Sequence, residues 1–170
     1  MGVPRVAPAL IKIRAGGTPT SRNLVTTTKP LLLDIIDHAF NKGSWHGANL
    51  MGALRGVSAK QASKRFKGRK TIWEQALHAA YWKHIVLNKL AGKTPFPRKG
   101  SNWIRLPSAL SETAWRGDLK MLREIHEEFR AAVESSKGKL DDKTLKMVYG
   151  AAFHDIYHAG QIKLLRRIAR

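Results

Sequence analysis

From Pro30 to the C-terminus no stretch alternates apolar and polar residues with the period of two that a half-buried strand needs. The chain has to build its core from helices. Leu31, Leu32, Ile35, Ile36 and Phe40 form a helical stripe behind Pro30, a residue favoured in a first helical turn. Gly43 interrupts it, and Ser44 is placed to cap a second piece through Leu54. The runs Ser58-Ala-Lys-Gln61 and Thr71-Ile-Trp-Glu74 both have the form of a capping box. In such a box a hydroxyl and an acid or amide three residues later satisfy each other's free backbone N–H. The first should open a short helix ending near Gly68, the second a long helix to about Ala91, stopped by Gly92. Ser111 starts another, to about Ser135. After a turn around Gly138, Asp141 or Asp142 caps a last helix that runs to the C-terminus. Four principal helices with these spacings predict an all-α fold, a four-helix bundle.

The connection 92–110 is long for a bundle, and long connections are often functional. It holds Pro95, Pro97 and Pro107, and its Arg98, Lys99 and Arg105 have no acid beside them. It is expected either to shape substrate access in favour of anions or to serve as a plain connection with Trp103 packed on the bundle.

A chain of 170 residues is long enough for one domain with a sizeable core, and 43% hydrophobic with 25% charged residues is a globular composition. With no cysteine there is no disulfide scaffold, thiolate zinc site or cysteine nucleophile, so any sulfur chemistry needs a thiol cosubstrate. No apolar run approaches the ~18 residues of a membrane span, and a cytoplasmic location with no membrane partner is expected. Residues 1–28, with Pro4, Pro8, Pro19 and the Thr26-Thr27-Thr28 run, read as a basic extension, and 29–170 as the bundle. The extension is acid-poor and contains arginine, like a transit peptide. It lacks the amphipathic arginine helix of one, so an extended arm is the expectation.

The formal net charge is +19, and it points to an anionic partner: nucleic acid, an acidic surface or anionic metabolites. An acid-free stretch from His38 to Trp73 carries Lys60, Lys64, Arg65, Lys67, Arg69 and Lys70. It lacks the interleaved aromatics that stack single-stranded bases, and no zinc-finger, RNP or GxxG pattern is present. Nucleic-acid binding is therefore expected to be weak and non-specific.

The chemistry concentrates in the last helix. His154 and His158, spaced i, i+4, point from one face, which also carries Ala151, Gln161 and Leu165 and should look into the core. Two imidazoles buried in an apolar stripe leave polar nitrogens to satisfy, which favours a shared ligand. Catalytic zinc usually has three protein ligands, so a third is wanted. His126 sits in a charged run and reads as a surface residue. His84 lies about 120° from His78 on its helix, so the two do not serve one ion. On this reasoning His78 leads and His46 comes second. Glu74 is committed to a cap, and Asp155 lies off the histidine face.

The run Thr71-Ile-Trp-Glu-Gln-Ala-Leu-His78-Ala-Ala-Tyr-Trp and the run His154-Asp-Ile-Tyr-His158-Ala-Gly-Gln-Ile162 resemble the second and last helices of the DinB/YfiT-like superfamily. Asn102-Trp103, the Ser111–Trp115 helix start, Trp45-His46-Gly47 and Ala53-Leu-Arg-Gly56 also fit, so the resemblance spans about residues 30–170. It implies a bundle of up-down-down-up connectivity in which His78, His154 and His158 bind one divalent ion, with water completing the shell. It implies chemistry like that of thiol-dependent S-transferases and a thiol-dependent maleylpyruvate isomerase, and a homodimer. The family name comes from DNA-damage induction, a stress response, which is no evidence of DNA binding.

Two functional classes follow. One is a metal-dependent enzyme, a thiol S-transferase or a hydrolase of small electrophiles. Its cofactor would be one divalent ion (Zn, Ni, Fe or Cu) and its cosubstrate a low-molecular-weight thiol. Gln161 would orient substrate or water, Asp155 and Tyr157 would support the ligands, and His46, Trp45 and Asn49 would line the pocket mouth. Core packing is the competing expectation for Trp45. The other class is a basic nucleic-acid-associated or stress-related binding protein with a structural metal.

Overall fold

The computed structural model describes residues 21–137 and 140–168. Among these there are six helices and no named strand: α1 Ser21–Phe40, α2 Leu50–Leu54, α3 Ala59–Ser63, α4 Ile72–Ala91, α5 Glu112–Ser135 and α6 Asp142–Ile168. The four long ones form the body. The helix α4 packs on α5 and α6, and α1 packs on the same two, while α2 and α3 close one end against α6, α4 and α5. No helix among the described residues is long and apolar enough to cross a membrane.

Both capping boxes form as expected. The Thr71 hydroxyl accepts from Glu74 N and the Glu74 carboxylate from Thr71 N, and the Ser58–Gln61 pair does the same for α3. The last helix is capped by Asp141, whose carboxylate accepts from Thr144 N at 2.8 Å. Gly92, at φ 102°, ends α4 in a conformation that a side chain would strain.

Three boundaries differ from expectation. The first helix does not open at Pro30; it continues back to Ser21 with Pro30 inside it. The Lys29 ammonium donates to the carbonyls of Glu134 and Ser136 at the end of α5, which ties down the turn that Pro30 would otherwise loosen. Ser44 caps nothing: its hydroxyl donates to the His38 carbonyl, and Asn49 caps α2 instead. The helix α3 ends at Ser63, well before Gly68. The Gly138 turn and residues 1–20 of the extension lie outside the described residues.

The apolar core falls into two clusters along the bundle. One gathers Leu50, Leu54, Trp73, Leu77, Trp115, Leu122 and Ile162 around α2 and α3. The other gathers Leu32, Ile36, Val86, Phe129, Val148 and Ala152. Between them each long helix contributes one buried polar residue: Asp37, Lys83, His126 and Asp155. The Lys83 ammonium donates to Asp155 Oδ2 at 2.6 Å and to His126 Nδ1 at 3.2 Å, and sits 4.1 Å from the centre of the Phe40 ring. Its three donors thus each meet an electron-rich partner. Asp37 is bound by Arg130 and Lys42.

His126 is therefore not the surface residue its sequence neighbours suggest. It is buried and stacked on Phe40 with ring centres 3.6 Å apart. At about 100° per residue it falls in the arc of Trp115, Leu122, Phe129 and Val133, while Glu124, Glu127 and Glu128 fall outside it. The outer face of α6 also departs from a simple amphipathic pattern: Phe153, Tyr157, Leu164 and Ile168 are exposed there, at spacings of 4, 7 and 4.

Candidate metal centre

The capped start of α4 places His78 two turns in, and α6 brings His154 and His158 against it. His154 Nε2 lies 3.2 Å from His78 Nε2 and 3.0 Å from His158 Nε2. The second nitrogen of two of the rings is committed elsewhere. His78 Nδ1 donates to the Asn102 carbonyl at 3.0 Å, and His158 Nδ1 to Gln75 Oε1 at 3.0 Å. In the neutral ring the other nitrogen then carries a bare lone pair, so His78 and His158 both present acceptors to His154 Nε2. A single N–H on His154 Nε2 satisfies one of them and leaves the other without a donor. One cation satisfies all three at once. Bonds of about 2.0–2.1 Å at tetrahedral angles put nitrogens roughly 3.3 Å apart, close to the separations observed. The donor set fits a divalent ion, and these three residues form a group that could hold one.

Burial keeps the rings neutral. It is the largest influence on each and disfavours the imidazolium, pulling His154 down to about 4 and His158 to about 3. The neighbouring imidazoles add to both shifts. His78 is lowered too, by burial first and by Lys70, against the opposing bond to the Asn102 carbonyl. Neutral imidazole is the ligating form.

The connection 92–110 builds one wall. Trp103 stacks on His78 with ring centres 3.9 Å apart and planes 9° from parallel, and the Lys70 ammonium lies 5.2 Å from the Trp103 ring. Asn102 sits at φ 57°, a backbone state asparagine tolerates better than most residues. Its carbonyl takes His78 and its side-chain oxygen takes Trp82 Nε1 at 3.0 Å. Arg98 does not reach into the site. Its Nε and Nη2 donate to Asp118 Oδ1, while Trp73 Nε1 donates to Asp118 Oδ2. The acid that offsets this arginine comes from α5, twenty residues away.

The other expected residues are dispersed. His46 and Trp45 are exposed in the segment between α1 and α2, and Trp45 is fully so rather than packed in the core. Asn49 serves as a helix cap. Gln161 is half-buried one turn beyond His158. Tyr157 sets its ring edge-on to His158 at 5.1 Å. Asp155 turns away from the histidines to Lys83. His84 Nε2 donates to the Thr94 carbonyl at 2.9 Å, with Asn88 Nδ2 3.1 Å away. Sequence reasoning missed Gln75, although it lies three residues before His78 and shares its side of the helix.

The model of the DinB superfamily matches residues 44–162, a span that contains all three histidines and the wall around them. The chain belongs to the DinB superfamily. No curated protein and no solved structure matches it. As in the expectation drawn from the resemblance, the DinB-superfamily fold here is all-helical and carries a three-histidine group suited to metal.

Proposed function

We propose that this DinB-superfamily chain is a divalent-metal enzyme acting on small electrophiles, as a thiol S-transferase or a hydrolase, with His78, His154 and His158 as ligands. The observation that carries the reading is the convergence of three imidazoles, with His154 Nε2 at 3.0–3.2 Å from both His78 Nε2 and His158 Nε2, and with those two rings held by a partner on the far nitrogen. Three protein ligands, with no fourth grouped with them among the described residues, leave a position for a reactant, whereas structural zinc has a closed set of four. A divalent ion held there supplies Lewis acidity, lowering the pKa of a thiol or water that reaches it.

The chain's own residues set the rest. The Asn102 carbonyl and Gln75 keep two imidazoles in the ligating tautomer. Trp103 covers one face of His78 and shields that side from water. Lys70, against the Trp103 ring, favours anionic groups on the reactant. In transfer, the thiol sulfur bonds an electrophilic carbon whose leaving group departs with the bonding pair, and the thiol proton goes to solvent. In hydrolysis the water oxygen makes that bond and the leaving group takes up a proton.

The test combines metal analysis of the purified protein with a panel of low-molecular-weight thiols and electrophiles. The wild-type chain should hold one divalent ion and His154→Ala none. Conjugation or hydrolysis that disappears with the metal supports the enzyme reading. Full metal content with no turnover against either class would leave the ion structural. The +19 charge favours a second reading, a nucleic-acid-associated protein. Binding that is tight, sequence-selective and persistent at physiological salt would support it, and weak binding lost with salt would not.

A further inference from the structure

Away from the histidines, α5 and the turn after α2 border an open surface groove of about 640 Å³. Its accessible apolar surface comes mainly from Met51 and Leu119, while Leu54, Val57 and Trp115 also line it but are buried. Trp115 is fixed there, with its Nε1 donating to the Val57 carbonyl at 2.7 Å. The rim carries three arginines, Arg55, Arg116 and Arg123, and one acid, Glu112. Arg116, Leu119 and Arg123 follow one another along a single face of α5, and Arg55 precedes Gly56, whose φ of 70° makes the turn that faces them.

None of the three guanidiniums makes an ion pair or hydrogen bond among the described residues, in contrast to Arg65, Arg98, Arg130 and Arg166. Glu112 makes no ion pair with them, its carboxylate accepting instead from Ala59 N at 2.7 Å, and its one negative charge leaves the rim with a net charge of about +2. Three like charges gathered around one groove repel one another, and their five-donor forks stay open. We infer that this groove is a binding site for a small organic anion: a carboxylate or phosphate monoester held by the arginine rim, with an apolar body lying along the partly exposed Met51 and Leu119. Its volume is in the ordinary range for small-molecule sites. Arginine supplies the planar, two-point donors that both anions accept. The groove shares no lining residue with the histidine group, so the inference does not depend on the metal reading.

Calorimetric titration of the full chain with octanoate, octyl phosphate and octanol tests it, at 0.15 M salt to screen diffuse charge. Each anion should bind once per chain, and octanol far more weakly. The relative strength of octanoate and octyl phosphate separates a carboxylate preference from a phosphate one. Arg116→Gln/Arg123→Gln should raise the anion Kd by about tenfold or more, since two charge-assisted contacts are removed. Lys143→Gln/Lys146→Gln, which removes the same charge from α6, should leave it unchanged. Equal losses in both variants would reduce the effect to net charge and overturn the site. So would anion binding that is abolished by one equivalent of zinc or by His154→Ala, because the anion would then be sitting on the histidines.

Discussion

Replacing Lys83 by Met strands a carboxylate in the middle of the bundle. Lys83 is 2% exposed and Asp155 1%, and their 2.6 Å contact supplies the one partner Asp155 has, since Oδ1 meets no donor among the described residues. Burial already works against both charged forms, raising the Asp155 carboxyl and lowering the Lys83 ammonium from their ordinary ranges. The single change should therefore cost about 3–5 kcal/mol, the usual penalty for orphaning one member of a buried pair. Against a typical stability of about 5–15 kcal/mol that is a large fraction, and it lowers Tm by on the order of 10 °C. Lys83→Met/Asp155→Leu removes both charges and keeps the volume. Such exchanges are neutral or stabilising by up to about 4 kcal/mol. Here His126 Nδ1 also loses its donor, at about 1–2 kcal/mol, so the double variant should fall within about 2 kcal/mol of wild type. Urea unfolding of all four chains of the cycle, metal-free at pH 7, gives the coupling directly. A Lys83→Met loss below about 1 kcal/mol, or a double variant as damaged as the sum of the singles, would refute the argument.

Metal-free protein should lose stability as pH falls from about 6.5, where unfolded histidines protonate, towards the folded values of about 4 for His154 and about 3 for His158. The unfolded chain binds more protons throughout that window, so urea midpoints at pH 7.5, 6 and 5 should decline in that order, and a flat series would contradict it. Gln75→Leu removes the partner of His158 Nδ1 and should weaken zinc affinity by about 10–100-fold in a chelator competition, and it should cost the metal-free chain about 1–3 kcal/mol because a buried N–H loses its acceptor. Arg98→Ala deprives Asp118 Oδ1 of two donors and should cost about 1.5–3 kcal/mol in urea unfolding, whereas Lys99→Ala should be silent.

What the sequence made legible is what is local. Thr71 with Glu74 and Ser58 with Gln61 announce helix starts because both partners of each box lie within four residues. The i, i+4 spacing of His154 and His158 shows on the face of α6 without any knowledge of its neighbours. The third histidine could be ranked from helical projection and from resemblance, since His78 lies on a mixed face of a well-bounded helix. What failed depended on contacts between distant residues. Arg98 looked unopposed because Asp118 reaches it from α5, and His126 looked exposed because the acids around it in sequence point elsewhere. Nothing local distinguishes Ser44 from a cap; the hydroxyl is taken by the His38 carbonyl, and Asn49 does the capping. The stacking of Trp103 on His78 joins residues 25 positions apart through a loop whose path no periodicity describes.

The outward row of Phe153, Tyr157, Leu164 and Ile168 bears on how the molecule behaves as a colloid. A helix apolar on both sides offers other copies in solution a sticky strip, and what keeps those copies apart at moderate ionic strength is the mutual repulsion of chains bearing +19 each. That repulsion reaches about 8 Å at physiological salt and only about 3 Å at 1 M. Concentrated salt should therefore lower the electrostatic barrier to the strips meeting, and dilute buffer should raise it. For this molecule the surplus of lysine and arginine acts as a dispersant for its own last helix.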